Sequence, residues 1–158
     1  MTIKVGDKLP EATFRVWKDG KGDDMTVSQL TKGKKVALFA VPGAFTPTCS
    51  AKHLPGFTQK AAEFRAKGVD TIACVSINDV WVMDAWGRDQ KVGEDVVMLA
   101  DGAGDFTKAL GMEFDVPRMG LRSKRYSMIV EDGVVKQLNL EEPGKYEVSS
   151  ADYMLGQL

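Results

Sequence analysis

Three short apolar runs, residues 36–41 (VALFAV), 69–76 (VDTIACVS) and 96–101 (VVMLAD), most narrow what this chain can fold into. Each has a strand's length and β-branched content, and residues 36–41 are apolar throughout, as in a strand covered on both faces. The segments between them have helical spacing. Leu54, Phe57, Ala61 and Phe64 fall on one helical face, with Pro55 predicting a kink and Gly68 a stop. Asn78 or Asp79 is placed to cap a second helix, VWVMDAWGRDQ. Strands alternating with helices in this way specify an α/β layer architecture rather than a bundle or a sandwich.

The flanks add to that frame. WKDGKGDDMTV reads as a hairpin whose turn chemistry comes from Asp19-Gly20 and Lys21-Gly22, and Ser28 is placed to cap a helical turn ahead of Lys32-Gly33. A short helix around residues 106–110 leads into an irregular stretch, EFDVPRMGLRSK. A second hairpin, RYSMIVEDGVVKQLNL, turns on Asp132-Gly133, and Ser149 or Ser150 caps a last helix running to Leu158. The expected fold is thioredoxin-like, a central mixed sheet flanked by helices with N-terminal additions. At 158 residues and 44% hydrophobic content, a single domain over residues 1–158 is expected.

Charge narrows the partners. Lys plus Arg total 21 against 22 Asp plus Glu, without a block of like charges, so the footprint of a nucleic-acid or polybasic membrane binder is missing. No apolar run approaches the roughly 20 residues that cross a bilayer. The N-terminal MTIKVGDKLPEATF lacks the apolar core of a secretory signal, and a cytoplasmic protein is expected. One histidine, His53, and two well-separated cysteines, Cys49 and Cys74, argue against a metal centre and against a CxxC redox pair.

The chemistry concentrates in VPGAFTPTCS, residues 41–50, where the first apolar run turns on Pro-Gly and a helix starts near Cys49. The unpaired amides and positive dipole end of a helix's first turn favour an anion, so a thiolate nucleophile is expected there. Thr46 is placed to cap the helix or to turn its hydroxyl toward whatever meets the sulfur. A Thr-x-x-Cys pair cannot close its own disulfide, so Cys49 must react with something else. A peroxide O–O bond suits a bare thiolate: attack gives a sulfenic acid and expels an oxyanion that needs donors. Arg125, in RSKRYSM, is the candidate cation; strand alternation puts it on one face with Ser127, but spacing alone does not bring it to Cys49.

VPGAFTPTCSAKHLPGF resembles the PxxxTxxC active-site segment of the peroxiredoxins, in particular the subfamily of mammalian peroxiredoxin 5 and the plant type II proteins. The similarity continues through ACVSINDVWVMDAWGRDQ, LADGAGDFTKALG and RSKRYSMIVEDGVVKQLNLE. It implies that Pro42, Thr46, Cys49 and Arg125 match the family's catalytic proline, threonine, peroxidatic cysteine and arginine. It further implies a homodimeric thiol peroxidase for hydrogen peroxide and alkyl hydroperoxides, without metal or haem. Animal members hold a resolving cysteine just before the last helix, where this chain has Ser149 and Ser150. The resemblance therefore favours reduction by glutathione or glutaredoxin, with thioredoxin as the alternative, and a role in redox homeostasis.

Other residues carry two readings each. Cys74, mid-strand, is a core thiol or a resolving thiol that needs the Cys49 helix to unwind. His53 is a helix-surface or packing residue or part of the substrate pocket, Gly43 a simple turn or a close approach to substrate, and Phe45 a pocket wall or a subunit surface. Trp81 and Trp86 pack or support a subunit contact, and Arg122 is at most an indirect contributor. The competing functions are a disulfide exchanger, which Thr-x-x-Cys opposes, and a redox-controlled chaperone or signalling scaffold.

Overall fold

The computed structural model describes residues 2–158. Strands β1 (Thr13–Lys18) and β2 (Lys21–Thr26) form the first hairpin, followed by α1 (Val27–Thr31) and β3 (Lys35–Ala40). A π-helical turn, Cys49–His53, runs into α2 (Leu54–Gln59) and α3 (Ala61–Ala66). Next come β4 (Thr71–Ser76), α4 (Val80–Asp89), β5 (Val97–Ala100) and α5 (Asp105–Leu110). The chain ends with β6 (Glu113–Val116), β7 (Gly120–Ser123), β8 (Tyr126–Glu131), β9 (Val134–Leu140) and α6 (Ala151–Leu155). Seven strands make one sheet in the order β2-β1-β5-β4-β3-β8-β9, with β5, β4 and β3 mutually parallel and β8 antiparallel to β3. This is the α/β class that the strand and helix pattern predicts, in the expected thioredoxin-like arrangement.

Alternation along β3 divides the core. Ala37 and Phe39 face the layer that holds Phe57, Phe64, Trp86 and Met154, whereas Val36, Leu38 and Ala40 face Phe14, Leu30, Phe106 and Met128. Both faces are therefore dry, which is why the run carries no polar residue. Cys49 and Cys74 belong to the first layer.

Four local expectations are corrected. Thr26, not Ser28, caps α1: its hydroxyl accepts from Gln29 N–H while the Gln29 side chain accepts from Thr26 N–H. Ser28 instead gives its hydroxyl proton to Glu11. The stretch expected to be irregular is the β6–β7 hairpin, turned through Arg118 and Gly120 at positive φ. Pro55 sits in the first turn of α2, where its missing donor costs little; the irregularity is the π turn just before it. Ser150 caps α6, which stops at Leu155 rather than reaching Leu158.

Candidate active site

Beyond Ala40 the chain leaves the sheet through residues 41–45 and enters the helix with the first backbone bond from Ser50 N–H to Thr46 C=O, 2.9 Å. Phe45 holds φ at +63°, a conformation costly for a bulky residue, and the turn is tied down to support it. Ala44 N–H donates to Asn78 Oδ1 at 3.0 Å, and Ser76 Oγ donates to the same oxygen. Asn78 thus anchors the turn while Asp79 caps α4. Gly43 is buried: a Cβ there would lie 3.1 Å from the Thr46 methyl, 3.5 Å from Arg122 Nη1 and 3.6 Å from Met119 Cε. A side chain there would press on the Thr46 methyl, while the β6–β7 hairpin atoms would sit at ordinary contact distance.

Thr46 Oγ1 donates to Gly43 C=O at 2.7 Å, so the hydroxyl does not cap the helix. With its proton committed, that oxygen still has lone pairs with which to accept. Cys49 opens the π turn and is fully buried, with Leu54 N–H reaching back to its carbonyl. The wider turn places Cys49 and His53, four residues apart, toward the same guanidinium.

That guanidinium is Arg125. The antiparallel register of β3 and β8 pairs Ala40 with Tyr126, so Arg125 lies where β3 gives way to the active-site turn. Arg125 Nη2 donates to Cys49 Sγ at 3.1 Å, and Nη1 donates to His53 Nδ1 at 2.8 Å. An arginine only donates, so His53 Nδ1 must be bare and Nε2 must carry the proton, which it gives to Ser149 C=O at 2.9 Å. Burial first, and the Arg125 charge second, lower the His53 pKa to about 3. His53 is thus a neutral, single-tautomer support for Arg125, enclosed by the Phe39, Phe57 and Tyr146 rings. The chain of bonds continues: Glu141 accepts from Glu147 N–H, Ser149 N–H and Ser149 Oγ at 2.6 to 2.8 Å.

The residues singled out in the sequence thus fall into two groups. Pro42, Gly43, Thr46, Cys49 and Arg125 converge on one end of the sheet, and His53 sits behind the arginine rather than at the surface. Phe45 is half exposed, its ring 6.5 Å from that of Trp86. Trp86 is itself buried and donates to Ser50 Oγ, whereas Trp81 is exposed. Cys74 is enclosed in β4, and burial, reinforced by nearby Cys49, raises its thiol pKa well above the ordinary range. Arg122 touches carbonyls of Met119 and Ile77 and covers Gly43. Sequence reasoning missed Asn78, Tyr146 and Glu141 as parts of this framework. Their only sequence signal was hydrogen-bonding side chains in loops.

Comparisons with known proteins identify the family of the chain. The Redoxin family model matches residues 4–155. Peroxiredoxin-2E, chloroplastic, of Arabidopsis thaliana is 53% identical over 163 aligned positions, covering 99% of this chain and 70% of that protein. Peroxiredoxin-2B of the same plant is 46% identical, covering 99% and 98%. The crystal structure of reduced Prx3 in complex with hydrogen peroxide from Vibrio vulnificus superposes with a TM-score of 0.96 at 51% identity over 99% of each chain. A sulfur, an arginine and a threonine gathered at the end of a thioredoxin-like sheet, in a chain this similar throughout, belong to a peroxiredoxin, a thiol-dependent peroxidase.

Proposed function

We propose that Cys49 is the peroxidatic nucleophile, with Thr46 and Arg125 as the groups that orient and stabilise the reacting peroxide. The observation that carries this is the split guanidinium, one nitrogen on Cys49 Sγ and the other on His53. The Cys49 thiolate attacks the terminal peroxide oxygen, forming an S–O bond as the O–O bond breaks. The departing hydroxide or alkoxide takes a proton and leaves as water or alcohol. Thr46 Oγ1, its proton held by Gly43 C=O, accepts from the peroxide O–H and aims the attacked oxygen at sulfur. Arg125 meets the charge that develops along the O–O bond. Hydrogen peroxide as a substrate is supported by its presence in the Vibrio vulnificus relative; organic hydroperoxides are proposed beside it, with Gly43, Phe45 and Pro42 forming the approach.

Glutathione, directly or through glutaredoxin, is the proposed reductant, thioredoxin being the alternative. Two features support this reading: serines occupy positions 149 and 150, and Cys74 is buried and held protonated. The proposed assembly is a homodimer, to which the half-exposed Phe45 and Met119 beside Gly43 would lend apolar surface. The proposed setting is the cytoplasm, in peroxide clearance.

Intact-mass measurement after one equivalent of peroxide, with and without glutathione, tests the cycle. A single oxygen and then a single glutathione on Cys49 are expected, together with loss of peroxide consumption in folded Cys49→Ser. Turnover retained in that variant overturns the nucleophile, and a stable Cys49–Cys74 disulfide overturns the one-cysteine cycle.

A further inference from the structure

A cavity of about 420 Å³ adjoins the sulfur site, sharing Pro42 and Arg125 with it and extending to residues the peroxide step does not use. Pro42, Thr48 and Arg125 form its inner wall, so it begins one residue from Cys49 and at the arginine bonded to the sulfur. Its floor is apolar, with Phe114, Leu140 and Pro143. Charges ring it. Lys124 is half-buried and, among the described residues, engages no side-chain acceptor, while Lys145 and Glu142 form a loose, exposed pair at 3.6 Å.

We infer that this cavity is the docking site for the γ-glutamyl peptide thiol glutathione, an inference that rests on the reductant reading above. The volume falls within the range of small-molecule sites, roughly 300–1,000 Å³. The charge pattern is complementary: glutathione carries two carboxylates and one ammonium, and beside Arg125, bonded to the sulfur, and Glu141, bonded to Glu147 and Ser149, the lining carries Lys124 and the exposed Lys145–Glu142 pair. Lys124 takes one carboxylate. Lys145 exchanges its exposed Glu142 partner for the other, and Glu142 is released to the ammonium. A loose surface pair is cheap to trade in this way. The cysteinyl sulfur then faces the Thr48–Arg125 wall, and opening of the π turn brings Cys49 to it. The glutathione sulfur attacks the sulfenic sulfur, an S–S bond forms, and the S–O bond breaks. The hydroxide leaves with the thiol proton as water. Cys49 is reduced from sulfenic acid to mixed disulfide and the glutathione sulfur is oxidised by the same pair of electrons. A second thiol, glutathione or glutaredoxin, then releases Cys49 as thiolate.

Stopped-flow mixing of the peroxide-oxidised protein with glutathione or with uncharged 2-mercaptoethanol tests the site, the readout being the ratio of the two rate constants. Lys124→Ala should lower that ratio about fivefold, the value of one partly exposed ion pair. Lys124→Glu should lower it further and Lys124→Arg should restore it. Raising salt should lower the wild-type ratio more steeply than that of Lys124→Ala, which keeps only the Lys145 and Glu142 contacts. If glutathione forms its adduct on wild type but the ratio ignores both charge changes at position 124, the docking site is refuted while the reductant reading stands. An apolar hydroperoxide tail as the occupant would show in that same pattern, as loss of alkyl hydroperoxide rate in Leu140→Asp. If wild-type sulfenic acid gives no adduct with glutathione, the reductant reading itself fails and the site falls with it.

Discussion

His53 makes the pH dependence of folding a direct test of the site's hydrogen-bond logic. It is the chain's only histidine, so any titration of an imidazole belongs to it. Its pKa falls from 6.5 to about 3 on folding, because the ring is buried and faces Arg125. The folded value lies below the unfolded one, so the unfolded chain binds the proton first. Stability is therefore present in full above about pH 6.5 and is lost progressively as pH falls toward 3. A pH of 5 lies about 1.5 pH units below the unfolded value of 6.5, and the loss there amounts to about 2 kcal/mol. For a domain of this size that is a fall in Tm of about 5 °C. His53→Gln removes the titration but can keep both bonds, its amide oxygen accepting from Arg125 and its amide N–H donating to Ser149 C=O. Urea or thermal unfolding of both proteins at pH 7 and pH 5 measures the difference. The expected outcome is a gap that shifts by about 2 kcal/mol in favour of the glutamine variant on acidification. A gap that stays constant between the two pH values would refute the neutral tautomer and the Arg125 contact on which it rests. Peroxidase assays add the catalytic half: His53→Leu, which cannot accept from Arg125, should lose rate that His53→Gln retains.

Other outcomes follow from the same geometry. Arg125→Ala should lower the rate of peroxide reduction about 100- to 1,000-fold, and Arg125→Lys should recover little, since one ammonium cannot span Cys49 and His53; rapid-mixing kinetics with hydrogen peroxide decide this. Thr46→Val keeps the shape but removes the accepting oxygen, and about a 100-fold loss is expected in the same assay. Gly43→Ala places a methyl 3.1 Å from that of Thr46 and should slow peroxide reduction about tenfold with little change in Tm. Cys74→Ala should leave glutathione-supported turnover intact while lowering stability by about 1 kcal/mol through a small cavity, as measured by turnover and denaturant titration.

The parts of the fold that were legible in sequence are those set by local pattern. Residues 36–41 show no polar position because both faces of β3 are covered, and Asp19-Gly20 and Asp132-Gly133 mark hairpins because both turns need positive φ. The β6–β7 hairpin escaped because four-residue arms around a proline give too short an alternation to stand out. At the site, Cys49 and Thr46 lie within one turn of helix and their spacing speaks for itself. Arg125 is 76 residues from Cys49, and only the Ala40–Tyr126 register of an antiparallel pair brings it there. His53 looked ambiguous for a related reason. A regular helix leaves the face of a residue near its start to tertiary packing, and the π turn that directs it inward has no propensity signature.

Cys49 and His53 bound the same π turn, and this joins the chemistry to the loop before α6. Arg125 bridges the two residues, His53 donates to the Ser149 carbonyl, and Glu141 holds Ser149 and Glu147 from the other side. Unwinding that turn to present an oxidised sulfur to a reductant cannot therefore be a local event at one side chain. It removes the Arg125 contact and frees a buried Ser149 carbonyl together, and an unpaired buried polar group costs about 1–3 kcal/mol. Hydrogen peroxide is small enough to need far less opening to reach the buried sulfur beside Arg125 than the proposed tripeptide reductant. On the reading proposed above, the reductant step must draw on binding energy of its own, and the charged cavity beside Thr48 and Arg125 is its proposed source.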